Sequence, residues 1–187
     1  MSFGRALAVL SLAATLGCSA PPDKEHHQAE GALAAARAAD AAVYAPEELH
    51  AAELAFGQYD AAVAQHDYRQ ALRLSLDARE SAYEAVKRAS DEKAAARAEA
   101  ERSVAELERL SQLGLARLGG SSLPRVTGAA AERVRASLRG SAALLQEARA
   151  NVGAQKYRDA VKKLAPTIAS LKEELEAAPA SAGRRGR

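Results

Sequence analysis

Among the side chains able to do chemistry, the four histidines come first: His26, His27, His50 and His66. His26-His27 could touch a metal ion, but no carboxylate or thiol is spaced to complete a rigid ligand set, so they read as solvated linker histidines. His50 and Glu53 lie one helical turn apart and would need a distant third ligand. The adjacent carboxylates Glu47-Glu48 and Glu173-Glu174 point to different faces of a helix and read as dipole and solubility residues rather than a general acid–base pair. No nucleophile elbow, phosphate loop or His-Glu-x-x-His motif is present. Tyr59, Tyr68, Tyr83 and Tyr157 fall on or beside apolar stripes, where core packing is expected and sugar stacking is the alternative. No catalytic residue, cofactor or metal ligand is therefore expected, and the chain is not expected to be an enzyme.

The basic residues are more informative. From Cys18 to Ser121 there are 12 basic and 18 acidic side chains; from Ser122 to Arg187 there are 13 basic and 6 acidic. A formal net charge of +2 over 187 residues thus hides a division into an acidic and a basic part. Arg133, Arg135, Arg139, Lys156, Arg158, Lys162 and Lys163 are the candidate anion- or partner-binding residues, because clustered basic surface concentrates anions within a Debye length, ~8 Å at physiological salt. A basic face without a dedicated ligand is the plainer alternative.

The elements that position these residues are helices. Alanine supplies 49 residues, aromatics only 4%, and Trp is absent. Alanine is the best helix former and strands want the β-branched and aromatic residues that are scarce here, so an all-α fold is expected. The single cysteine excludes an internal disulfide framework and any multi-cysteine metal site.

That cysteine ends a distinctive leader. Residues 1–5 carry one positive charge, Arg5, and residues 6–16 are apolar but shorter than the ~20 residues a bilayer-spanning helix needs. Ala14-Thr15-Leu16-Gly17-Cys18 then resembles a bacterial lipobox, although Thr15 stands where Leu is commonest. The resemblance implies removal of residues 1–17 and acylation of Cys18, whose chains would hold the protein on the membrane. Ser19 rather than Asp after the cysteine implies the outer membrane, facing the periplasm. An ordinary signal peptide cut after Ala20 is the alternative. Residues 18–24, with Pro21-Pro22, read as a lipidated tether.

Five helices follow from periodicity and punctuation. The first spans about 25–43. The second starts at Pro46, with Glu47 and Glu48 in its first turn and Tyr44 and Leu49 as a hydrophobic staple. It carries Leu49, Ala52, Phe56, Tyr59 and Val63 on one stripe and stops at Gln65-His66-Asp67, where Asp67 can cap the next helix and Gln70 completes an approximate capping box. The third runs from Tyr68 to Leu113 without Gly or Pro, ~70 Å at 1.5 Å per residue, with Ala71, Ser75, Ala78, Ala82, Ala85 and Ala89 as a close-packing seam bordered by Leu72, Leu76, Tyr83 and Val86. Residues 114–124 are a loop. The fourth helix spans 126–152 and the fifth begins at Tyr157 with Pro166 kinking or splitting it. Residues 178–187 are expected to be a disordered basic tail.

Val63…Tyr68-Arg69-x-Ala71 aligns with Val152…Tyr157-Arg158-x-Ala160, an internal repeat at a hairpin turn. The expected architecture is an elongated antiparallel helical bundle with coiled-coil-like hairpins, two related hairpins joined by one long helix. Residues 25–113 form the first hairpin with the long helix, and residues 125–177 a basic second hairpin.

Residues 44–89 resemble a bacterial family of unknown function found in envelope lipoproteins. The resemblance rests on Ala45-Pro46-Glu47-Glu48-Leu49, the stripe through Ala52, Phe56 and Tyr59, Asp67-Tyr68-Arg69-Gln70-Ala71, and Ala78, Ala82, Ala85 and Ala89. It covers about a quarter of the chain and carries over no catalytic residues. His66 stands where the family has Gly, and a left-handed His there costs ~1 kcal/mol. It implies an envelope location and a helical hairpin. Relatives are sometimes fused to an OmpA-like peptidoglycan-binding domain, which nothing here resembles.

The function expected is a non-enzymatic, lipid-anchored periplasmic scaffold or spacer whose basic second hairpin meets an anionic envelope partner: peptidoglycan, lipopolysaccharide or an acidic envelope protein. Nucleic acid suits the charge but not the compartment. A tetratricopeptide-like adaptor holding a protein segment between hairpins is the alternative.

Overall fold

A computed structural model describes residues 20–119 and 125–177. Cys18, the expected leader, residues 120–124 of the expected loop and the expected tail lie outside them. The described residues are all-α, with eight helices and no strand among them. They form helical bundles, and the chain divides into two compact units between Glu92 and Lys93.

In the first unit, α1 (Asp23–Ala38) and the short α2 (Ala41–Tyr44) replace the single helix expected over 25–43. Between them Asp40 takes the left-handed conformation, φ 60°, which Asp tolerates better than most residues. Pro46 then opens α3 (Pro46–Gly57) as expected, with Glu47 and Glu48 in its first turn and both Tyr44 and Leu49 buried. The second expected helix is also broken, at Gln58, so that α4 (Tyr59–Ala64) completes it. Leu49, Ala52 and Tyr59 of the expected stripe are buried, and Phe56 and Val63 partly so.

Helix α5 (Tyr68–Gly119) contributes its first part to this unit. Asp67 caps it, accepting a hydrogen bond from the Gln70 N–H at 2.9 Å. Ala71, Ser75, Ala78, Ala82, Ala85 and Ala89 are all fully buried, so the expected seam is present. Its border is not as expected: Leu72 and Tyr83 are exposed, Leu76 and Val86 are half-buried, and Leu74 is buried beside Tyr59, Ala62 and Ala71. Helix α4 packs on the Leu74 side of α5 rather than on the Leu72 side, which periodicity alone does not distinguish. Arg79 to Gln28 at 2.5 Å and Arg88 to Glu48 at 3.1 Å tie α5 to α1 and α3.

The second unit takes the rest of α5, which continues through Gly114 to Gly119 instead of stopping at Leu113. A lone helical glycine costs only ~1 kcal/mol. Here it also lets α6 (Gly128–Leu138) approach: a Cβ at position 114 would stand 3.3 Å from Leu138 and 3.4 Å from Val134. The expected fourth helix is split by Gly140, at φ 86°, into α6 and α7 (Ser141–Gly153). Helix α8 (Tyr157–Ala177) runs through Pro166 unsplit. Pro166 is exposed, so water can reach the carbonyl its missing N–H leaves unpaired. Tyr157, Ala160, Leu164, Leu171 and Leu175 form the buried stripe of α8.

The internal repeat has the same backbone in both copies. His66 and Gln155, 89 residues apart, are left-handed, at φ 57° and 60°. At each, the N–H of the following residue, sixth in the turn, reaches back to the carbonyl of the first, Asp67 to Ala62 at 2.9 Å and Lys156 to Asn151 at 2.8 Å. The left-handed residue itself bonds to Val63 at 2.9 Å or to Val152 at 3.0 Å. This is a Schellman ending in both cases, and Tyr68 and Tyr157 open the helices that follow.

Candidate functional site

All seven candidate anion-binding residues are exposed. Arg133 and Arg135 stand on α6, Arg139 in the turn after it, Lys156 in the turn before α8, and Arg158, Lys162 and Lys163 on α8. Arg135 is paired with Glu132 at 2.5 Å and Lys163 with Glu147. The 13 residues of α7, ~20 Å of helix, separate Arg139 from Lys156. The structure therefore does not gather these residues around one small anion. They are spread over the surface of the unit, an arrangement suited to an extended anionic surface.

Charge follows the two units. Among described residues the first unit carries 7 basic and 14 acidic side chains, and the second 15 basic and 10 acidic. The change of sign thus comes earlier than the 121/122 division visible from the sequence. Exposed pairs such as Arg97–Glu101 and Arg109–Glu106, both at 2.8 Å, cancel part of the basic excess on α5. The Arg109 hydrogen bond holds the Glu106 carboxyl below its ordinary value.

Two polar clusters escaped the sequence reading. In the first unit His26 is not a solvated linker residue. It belongs to α1, and its ring stacks on Phe56, centroids 4.4 Å apart, and on Tyr59, 3.8 Å apart. Its Nδ1 is shielded and has no hydrogen-bond partner among the described residues. Tyr59 donates its hydroxyl hydrogen to Asp23 at 3.1 Å. Burial, and then this bond with the nearby carboxylates Asp23, Asp60 and Glu25, raises the Tyr59 pKa above 10.0. The signal was present: His26 precedes the buried Ala29, Leu33 and Ala36 at helical spacing and so continues their face. His27 stays outside, 3.5 Å from Glu30, and His50 and His66 are exposed.

In the second unit Ser137 donates to Glu174 at 2.9 Å and Ser170 to its other oxygen at 3.3 Å, with the two hydroxyl oxygens 3.1 Å apart. Glu174 therefore joins α6 to α8 and is more than a solubility residue. Arg117 adds a bond to the Leu175 carbonyl at 2.6 Å, cation against the C-terminal end of α8. No local pattern marks residues 33 and 37 positions apart as partners.

Of the tyrosines, Tyr44, Tyr59 and Tyr157 are buried, Tyr68 is half-buried and 3.1 Å from His66 Nδ1, and Tyr83 is exposed. Among the described residues no group of three or more His, Cys, Asp or Glu could hold a metal ion, and no helix is long and apolar enough to cross a membrane. No family model, no curated protein and no solved structure matches the chain.

Proposed function

We propose that this protein is a non-enzymatic, lipid-anchored scaffold of the bacterial envelope, held through acylated Cys18 on the periplasmic face of the outer membrane. Its basic second unit meets an extended anionic partner such as peptidoglycan, lipopolysaccharide or an acidic envelope protein. The observation that carries the partner half is the division of charge between the units, with the candidate residues exposed and dispersed. The lipobox-like Ala14-Thr15-Leu16-Gly17-Cys18 supports the anchor half.

Binding of the full chain to purified sacculi and to anionic vesicles, measured against salt, tests the partner half. Affinity is expected to fall steeply as salt rises. Reversing Arg133, Arg139 and Lys162 to Glu should weaken binding at least tenfold without altering the helical circular-dichroism signal. Binding indifferent to both salt and reversal refutes the reading. The two matching hairpin turns favour a tetratricopeptide-like adaptor as the second reading, in which a peptide ligand would compete irrespective of salt.

A further inference from the structure

One face of α5 in the first unit is apolar yet left largely open among the described residues. At 100° per residue, Leu72, Leu76 and Tyr83 fall within about 40° of one another, away from the alanine seam. Leu72 is 38% and Tyr83 58% exposed, and Leu76 is half-buried between them. Apolar side chains left in water on one line carry a cost that a contact covering them would remove.

The charges beside this strip identify the contact. Arg69, Arg73, Glu80 and Glu84 follow its solvent flank, about 60–120° round the helix from Leu72. All four are exposed, and no ion pair holds any of them among the described residues; Arg73 bonds only to Gln70. From Arg69 to Glu84 the order is two positive, then two negative, with Lys87 following beyond the strip. Such a row is complementary to itself when reversed, which is the requirement of a two-fold contact. Arg79, which lies on the strip's other flank, is already bonded to Gln28 of α1.

We propose that this strip is a self-association surface whose occupant is the same strip of a second copy, lying antiparallel. Turning the second copy about a point between Leu76 and Asp77 sets Arg69 opposite the partner subunit's Glu84. It sets Arg73 opposite the partner subunit's Glu80, each pair occurring twice. Leu76 then meets the partner subunit's Leu76 at the axis, and Leu72 lies within one turn of the partner subunit's Tyr83. Antiparallel pairing brings like flanks together; a parallel pair would set the charged row against the flank of Arg79. The surface is small, so the contact is a weak, concentration-dependent dimer. It is independent of the anchor and of the anionic partner.

Sedimentation velocity of the full chain in mild detergent, from low micromolar to sub-millimolar concentration, tests this. Wild-type protein should show a monomer–dimer equilibrium. Leu76→Glu should abolish it and Arg73→Glu should weaken it at least tenfold, with thermal unfolding of both variants within a few degrees of wild type. The exchange Arg73→Glu/Glu80→Arg should restore association to within threefold, since it rebuilds each pair in reverse. A chain that stays monomeric throughout overturns the proposal and leaves the strip to a different protein. Association that ignores Arg73→Glu, or is not rescued by the exchange, also overturns it and points to another segment, such as the apolar leader.

Discussion

His26 shows how a residue that looks reactive can be used for packing. Both its neighbours in the stack are aromatic, so the ring contributes dispersion and quadrupole energy, while the shielded Nδ1 contributes an unmet hydrogen bond. His26→Ala should therefore lower stability by about 1–3 kcal/mol, whereas His26→Phe, which keeps the ring and removes the orphan nitrogen, should leave it unchanged or raise it by up to ~1 kcal/mol. Chemical denaturation distinguishes the outcomes, and a Phe variant as weak as the Ala variant would mean that the nitrogen has a polar role. Tyr59 makes a pH prediction in the same cluster. Its folded pKa lies above the ordinary 10.0, so above that pH the unfolded chain holds fewer protons than the folded one. Stability contributed by the neutral phenol is complete below about 10 and declines as pH rises past it. Denaturation midpoints measured toward alkaline pH should fall more steeply for wild type than for Tyr59→Phe.

At the scale of the element, the turns around His66 and Gln155 repeat one solution with non-glycine residues. Each holds a left-handed residue that glycine would adopt without a Cβ penalty, while both Schellman bonds are backbone bonds that survive substitution. His66→Gly and Gln155→Gly should each stabilise by about 0.5–1 kcal/mol, nearly additively because the turns belong to different units. Calorimetry on the two single variants and the double variant checks this, and destabilisation by either would show that its side chain matters more than its backbone. The seam on α5 was legible because small residues at alternating spacings of three and four have no other reason to be placed so regularly. Its border was not legible. Leu72 and Leu74 are equally apolar, and the one that is buried depends on where α4 lies against α5.

At the scale of the whole molecule, the anchor and the charge decide where the protein would reside and what it would touch. If Cys18 carries acyl chains, Cys18→Ser should move the protein from the membrane to the soluble fraction of fractionated cells, because one thioether and the following N-acylation supply the anchor. Unchanged fractionation of that variant would refute the anchor. If the second unit meets an anionic surface as proposed, full-length binding should follow its Arg and Lys residues rather than the net charge of +2. The anchor and charge tests address different residues, so either half of the proposal can fail without the other.

Helix content, the start of α3, the cap at Asp67, the alanine seam and the repeated turn were all determined by the sequence itself. Each depends on local propensity, on the geometry of one helix terminus or on a 3.6-residue period, none of which needs a partner element to be known. Breaks at Asp40, Gln58 and Gly140 were decided by tertiary structure, as were the passage of α5 through Gly114, the stack on His26 and the Ser137–Ser170–Glu174 network. There a short-range preference competes with packing against residues tens of positions away, and the long-range term wins because a buried contact outweighs the ~1 kcal/mol by which local preferences differ.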